Sequence, residues 1–414
     1  MLIGKRWPGR RKAAAAVVLG LLMAGAVDTP AHAEGMRAQQ WFLDAMKAEQ
    51  MWRTSTGKGV TVAVIDTGVD ADVPDLRGQV LRGRDYAEEQ PGDEHTDYRG
   101  HGTGMAALIA GTGAANGGNG AFGLAPGTRI LPVRVPNVEE DAANEAEAIK
   151  VFNQVVPEAI RYSVDAGAKV VNISLAQEEG SPELTAAVKY ALDRGALIFA
   201  GVGNKAEEGN PLEYPASTPG VVGVAAVGKN LSRTSFSQFG PNIDVAAPGE
   251  DMVAACTGKT GFCESRGTSE ATAIASASAA LIWAAHPEWT NNQVLRVMLN
   301  TIGGPTNGAK RNDSIGYGIV RPRIALQDPG DPGPADVYPL PDLAAAASSS
   351  PSESAPVAHG AGGAAKGGEA AAAGTSSEGD GNGMLWIGLG AAAVLALGGG
   401  GAAYAVSRRR RSLV

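Results

Sequence analysis

The chain of 414 residues has little aromatic content (5 %), few charged residues (19 %) and only two cysteines, Cys256 and Cys263. Two cysteines by themselves do not make a zinc site. So little Glu, Lys and Arg excludes a coiled coil, and the absence of a Gly-x-y period excludes collagen. Positive charge is also short. The 35 Lys and Arg stand against 43 Asp and Glu, a formal net charge of -8, which disfavours a nucleic-acid partner. Glycine is what the chain has in excess. Its 57 residues are roughly twice the usual share. That excess belongs either to a fold that needs close backbone approach or to the chain's ends.

The N-terminus reads as a targeting segment. Lys5, Arg6, Arg10, Arg11 and Lys12 precede an apolar run at 13–27, and Ala31-His32-Ala33 is a small-x-small site. This is the secretory pattern, so residues 1–33 are expected to be a signal peptide cleaved after Ala33. The Arg10-Arg11 pair lacks the context of a twin-arginine signal. Residues 34–56 form a short extension, in which 39–52 predicts a small amphipathic helix packed on the body.

At the other end, residues 384–406 are 23 uncharged residues followed by Ser407 and Arg408 to Arg411. At about 1.5 Å per residue the run matches the roughly 30 Å hydrocarbon thickness of a bilayer. It predicts a single membrane helix. The basic tail, 407–414, is expected to stay cytoplasmic, and the bulk of the chain is expected outside the cell membrane. Residues 327–383 are rich in Pro, Ala, Gly and Ser. They predict a linker, because large apolar groups are too sparse to offset backbone ordering.

Residues 57–326 remain as one domain. Strand-like runs at 60–65, 129–135, 168–173, 196–201, 221–227 and 243–246 alternate with helical stretches at 101–111, 141–165, 182–194 and 269–285. Pro157 is expected to kink the second helix, and His286-Pro287 to end the last. The alternation predicts an α/β fold with a mostly parallel sheet covered on both faces. Sites in such folds lie at the carboxyl ends of the strands.

Four residues stand out there. Asp66 follows the first strand, and is either a turn residue or the orienter of a base. His101 is one of five histidines and sits between Gly100 and Gly102. Ser269 opens the last helix, as an N-cap or as a nucleophile beside unsatisfied N–H groups. Asn204 follows Gly201-Val202-Gly203, as a turn former or as an amide donor. Taken together, Asp66, His101 and Ser269 supply orienter, base and nucleophile. They are separated by 35 and 168 residues, so only a fold assembles them.

With these residues in place, the sequence resembles the subtilisin-like serine proteases (subtilases, peptidase family S8). The matching segments, in the family's order, are VAVIDTGVD (62–70), GHGTGMAALIAG (100–111), FGLAPGTRILPVRV (122–135), VVNISL (170–175), AGVGN (200–204), YPAS (214–217), FSQFGPNIDVAAPG (236–249), GTSEATA (267–273) and IGYGIV (315–320). The resemblance implies a three-layer subtilisin-like fold, a triad of Asp66, His101 and Ser269, and Asn204 as oxyanion donor. It also implies a substrate pocket walled by Ser174, Leu175 and Ala176 on one side and by Gly201 and Gly203 on the other. No metal and no cofactor are expected. Two positions depart from the family pattern: Glu270 stands where Met is common, and Ala273 where Pro is common. Glu270 either faces His101, where it would raise the imidazole pKa, or points away. The short extension leaves too little length for a folded inhibitory pro-domain. Export favours a Cys256–Cys263 disulfide. TGAANGGNG (112–120) is expected as a flexible surface loop, and EEGNPLE (207–213) as a shaper of the cleft or a solvent loop.

The whole architecture resembles the mycosins, membrane-anchored subtilases associated with type VII secretion. That resemblance implies protein or peptide substrates and type VII secretion membrane components as partners. The alternatives are a structural stabiliser of that secretion complex with proteolysis secondary, and a general cell-surface degradative protease.

Overall fold

The computed structural model describes residues 35–258 and 260–349. The expected signal peptide, the later part of the linker, the membrane helix and the basic tail lie outside the described residues. Seven strands form one parallel sheet: β1 (Thr61–Asp66), β2 (Arg84–Asp85), β3 (Arg129–Arg134), β4 (Val170–Ile173), β5 (Leu197–Gly201), β6 (Val222–Val227) and β7 (Val245–Pro248). Their spatial order is β2-β3-β1-β4-β5-β6-β7. β1 lies between β3 and β4, with Asp66 opposite Arg134 and Ile65 opposite Ile173. A separate antiparallel hairpin, β8 (Met252–Ala255) and β9 (Phe262–Ser265), follows.

The strands are apolar on both sides because both sides are covered. Val62, Val64, Leu197 and Phe199 face one core; Ala63, Ile65, Ile198 and Ala200 face the other. The first core is closed by helices α1 (His101–Ala110) and α4 (Thr268–Ala285). The second is closed by α2 (Glu145–Asp165) and α3 (Pro182–Asp193). α4 is buried almost throughout, and its alternating Ala and Ser let it lie close beneath the sheet. It ends at His286, ahead of Pro287, whose ring disfavours helical geometry at the preceding residue. α2 begins on Asn144, whose side chain accepts from the Glu147 N–H, and runs through Pro157 as one helix. A fifth long helix, α5 (Asn291–Asn300), carries a capping box between Thr290 and Gln293.

The N-terminal extension packs on the body as expected. It does so as three short helices, Met36–Gln39, Trp41–Met46 and Ala48–Trp52. Phe42, Leu43, Ala48 and Met51 enter the first core. Buried Gln40 donates to the Phe122 and Val253 carbonyls at 2.7 and 3.0 Å, and accepts from Phe122 N at 2.9 Å. The glycine-rich loop at 112–120 is anchored at its base. The fully buried Asp75 accepts from Ala115 N and Ala121 N at 2.7 and 3.0 Å.

The Pro-rich start of the expected linker lies on the body as a strap. Arg296 donates to the carbonyls of Pro332, Pro334 and Val337. Tyr338 donates to Gly220 O, and Leu340 is buried. Among the described residues no helix is long and apolar enough to cross a membrane.

Candidate active site

The strand ends bring the site together. β1 ends on Asp66, β4 leads into Ser174, and β5 ends on Gly201, three residues before Asn204. These are neighbouring strands, so the three segments converge on one edge of the sheet. α1 and α4 add their first turns: His101 is the first residue of α1, and Ser269 the second of α4. His101, Ser174, Leu175, Ala176, Gly201, Gly203, Asn204 and Ser269, all expected from the sequence, line a single cleft of about 640 Å³. Asp66 lies beneath it, fully buried.

His101 Nδ1 lies 2.7 Å from Asp66 Oδ1. The same oxygen accepts from Thr67 N at 2.7 Å. A carboxylate fixed in this way sets the tautomer of the neutral imidazole: the proton sits on Nδ1 and leaves Nε2 as the base. The Ser269 hydroxyl donates to the Ser174 carbonyl at 3.3 Å rather than to His101. Catalytic contacts of this kind often tighten only when substrate is bound.

Asn204 is oriented by its own oxygen. Oδ1 accepts from Thr268 N at 2.9 Å, which turns the Nδ2 group outward as a donor. The N–H of Ser269 lies in the first turn of α4, where backbone donors have no partner within the helix. The site thus has two donor types that suit a developing oxyanion. Thr268 supports them from behind: its hydroxyl accepts from Gly203 N at 3.2 Å. A Cβ on Gly201 would lie 2.8 Å from that oxygen, so only glycine lets β5 end this close to α4.

Charge dominates the imidazole. Burial pulls the His101 pKa down, but the charge and hydrogen bond of Asp66, then Glu270, then Asp97, push it up to about 9. The Glu270 charge thus acts to raise the imidazole pKa, the first of the two alternatives. It is buried and its side chain is hydrogen-bonded to that of Ser265. Burial raises its own pKa, and His101 opposes that rise.

Four contributors were not read from the sequence. Asp97 accepts from Thr67 Oγ1 (2.9 Å), Gly100 N (2.8 Å), Thr103 N (2.8 Å) and Thr103 Oγ1 (2.6 Å), tying the end of β1 to the start of α1. Arg99 lines the cleft on the His101 side and pairs with Asp141 at 3.1 Å. Asn172 is fully buried and donates to Ser174 Oγ at 3.0 Å. Lys205, just past Asn204, also lines the cleft. An Asp three residues before a Gly-His-Gly turn was a readable helix-start signal; the others depend on packing alone. The expected Cys256–Cys263 disulfide is present and braces the β8–β9 hairpin ahead of the nucleophile. Among the described residues, no group of three or more His, Cys, Asp or Glu is placed to hold a metal ion.

The fold and this site define a subtilisin-like serine endopeptidase. Residues 57–318 match the subtilase family (peptidase S8), and the chain belongs to that family. Subtilisin BL of Lederbergia lenta is 34 % identical over 278 residues, 66 % of this chain and 93 % of that one. Among solved structures, MycP1 from Mycobacterium smegmatis is similar with a TM-score of 0.63 and 26 % identity, over 75 % of this chain and 89 % of that one. The MycP3 protease from the type VII (ESX-3) secretion system matches with a TM-score of 0.61 and 30 % identity, over 72 % and 90 %. Both of these structural neighbours are mycosins.

Proposed function

We propose that this subtilase is a membrane-anchored, extracytoplasmic endopeptidase that cleaves a protein substrate in the service of type VII secretion. The observation that carries the chemistry is the 2.7 Å contact between His101 Nδ1 and Asp66 Oδ1, at a cleft that His101 shares with Ser269 and Asn204. In the reaction, Ser269 Oγ attacks the scissile carbonyl and His101 Nε2 takes its proton. Asn204 Nδ2 and the Ser269 N–H hold the oxyanion. His101 then returns the proton to the leaving amine, and water releases the acyl group by the same steps. Asp66 keeps the imidazole in one tautomer and stabilises its cation. Substrate lies extended along 174–176, joined by main-chain hydrogen bonds.

The secretion role rests on the likeness to MycP1 and MycP3. The membrane anchor rests on the sequence of 384–406, and export on that of 1–33. A second reading, as a stabilising part of the secretion complex, is favoured by one MycP1 neighbour being described as an essential component of the type VII (ESX-1) secretion system. The test compares Ser269→Ala with a full deletion in the native host, following secreted proteins by mass spectrometry. Loss of one processed product in Ser269→Ala supports the protease. Unchanged processing rules it out. Secretion that survives Ser269→Ala but not the deletion assigns the stabilising role.

A further inference from the structure

The cleft carries charged side chains beside its substrate walls. Each wall of the pocket continues into a charged side chain: Glu178 after Ser174–Ala176, and Lys205 after Asn204. Lys205 Nζ lies 3.0 Å from Glu178 Oε1 and 3.1 Å from Glu213 Oε1. The ammonium therefore ties the two walls together and reaches a third segment. Glu178 and Lys205 are each 40 % exposed, whereas the Glu213 side chain is 4 % exposed. Glu213 is held there by its neighbour, since Tyr214 and Gln177 exchange backbone hydrogen bonds at 2.7 and 3.0 Å. Gly203 is the wall residue that meets it. With φ +108°, a Cβ at Gly203 would lie 2.2 Å from Glu213 Oε2, so the wall is thinned to bare backbone where the carboxylate comes closest.

Charge does not balance here. Two carboxylates, Glu178 and Glu213, share the ammonium of Lys205, and Glu208 adds another carboxylate to the lining of the cleft. Burial works against the charge on Lys205, but its bonds to Glu178 and Glu213 outweigh burial and hold it above the usual amine range. The two pairs thus favour the charged ammonium, and the carboxylates outnumber it. The other Lys or Arg of the lining, Arg99, is paired with Asp141.

We propose that this acidic cluster makes the enzyme select Lys or Arg as the residue immediately before the scissile bond and reject Asp or Glu there. The proposal rests on the Ser269 reading of the site. A long basic side chain lays its methylenes along Leu175, Ala176 and the glycine wall and carries its charge to the carboxylates. It joins the cluster as a second cation, whereas an acidic side chain adds a like charge to an existing excess. Glu213 and Lys205 are specificity determinants in this account, acting in opposite directions. Glu213 attracts the incoming cation, and Lys205 competes with it.

The test uses the full-length protein in detergent with peptide p-nitroanilides that differ only in the residue before the cut: Lys, Arg, Ala, Phe or Glu. The expected result is kcat/KM for Lys and Arg about tenfold or more above Ala and Phe, with Glu lowest. Glu213→Gln lowers the Lys-to-Phe ratio, and Lys205→Met raises it. Each ratio is taken within one variant, so a smaller folded fraction does not alter it. Ala or Phe as the best substrate, with a Lys-to-Phe ratio that neither substitution moves, overturns the proposal. A fluorophosphonate probe run in parallel separates the two readings. Labelling that is lost in Ser269→Ala, together with no basic preference, sinks the specificity alone. No labelling and no hydrolysis of any peptide sinks the Ser269 reading and this proposal with it.

Discussion

At the scale of single residues, the imidazole must lose a proton before it can act. His101 has a pKa raised to about 9 from the ordinary 6.5, because Asp66, Glu270 and Asp97 outweigh burial. The base form is neutral, so kcat/KM on an uncharged peptide should rise with pH and level off above about 9. Glu270→Gln removes one of the three carboxylates. The midpoint should then move down and activity at pH 7 should rise, with Asp66 and Asp97 still holding the midpoint above the ordinary value. A midpoint that does not move would show that Glu270 leaves the imidazole alone. Asn204→Ala should lower kcat by roughly 100- to 1000-fold with little change in KM, since the amide acts on charge that develops in the transition state. A loss confined to KM would remove Asn204 from that role. Asp66, His101, Ser269 and Asn204 were legible because each sits in a short segment whose glycines and strand end announce a turn. The direction of Glu270 was not. It is set by the bond to Ser265 on β9, a strand absent from the sequence reading.

At the scale of elements, six of the seven parallel strands were legible because each is a compact apolar run between turn residues; β2, only Arg84–Asp85, carries no such run. The β8–β9 hairpin was not, since its strands are four residues each and β9 is largely exposed. α5 carried a signal that went unread: Thr290 and Gln293 form a capping box ahead of an amphipathic helix. The junction between β1 and α1 depends on Asp97, whose two oxygens accept from both elements. An Asn at 97 keeps one acceptor oxygen but places an NH₂ group against donors. Of the Thr103 N–H and hydroxyl, which meet Oδ2, and the Gly100 N–H, which meets Oδ1, one set loses its acceptor. A buried donor left without a partner costs about 1–3 kcal/mol. Asp97→Asn should therefore lower Tm. It should also lower the pH midpoint of kcat/KM, because a carboxylate that raises the His101 pKa has gone. A fall in Tm with an unmoved midpoint would confine Asp97 to holding the fold.

At the scale of the whole molecule, composition misjudged where the body stops. The stretch from 328 has few large apolar groups, yet the strap docks mainly through its carbonyls, which composition does not register. Gln293 donates to Gly333 O and Asn292 to Ala335 O, both at 2.9 Å, alongside the three bonds from Arg296. The strap also brings Asp342 onto the Gly220 N–H and near the half-buried Asp244. Burial, and then the Asp342 charge, raise the Asp244 pKa from 3.8 to about 7. A carboxyl with a raised folded-state pKa favours the protonated form. Its contribution is therefore full below 3.8 and is lost as pH rises to about 7. Part of that shift exists only while Asp342 is docked, so docking of the strap should weaken over the same window. A chain of residues 35–349 should melt above one of residues 35–327, and the gap should be wider at pH 5 than at pH 8. Asp244→Asn in the longer chain should flatten that pH dependence, because the amide still accepts from Gly223 N and carries no charge against Asp342. Two chains with equal Tm would mean that the strap adds nothing to the fold. A gap that stays the same at both pH values would separate the strap from the Asp244–Asp342 pair.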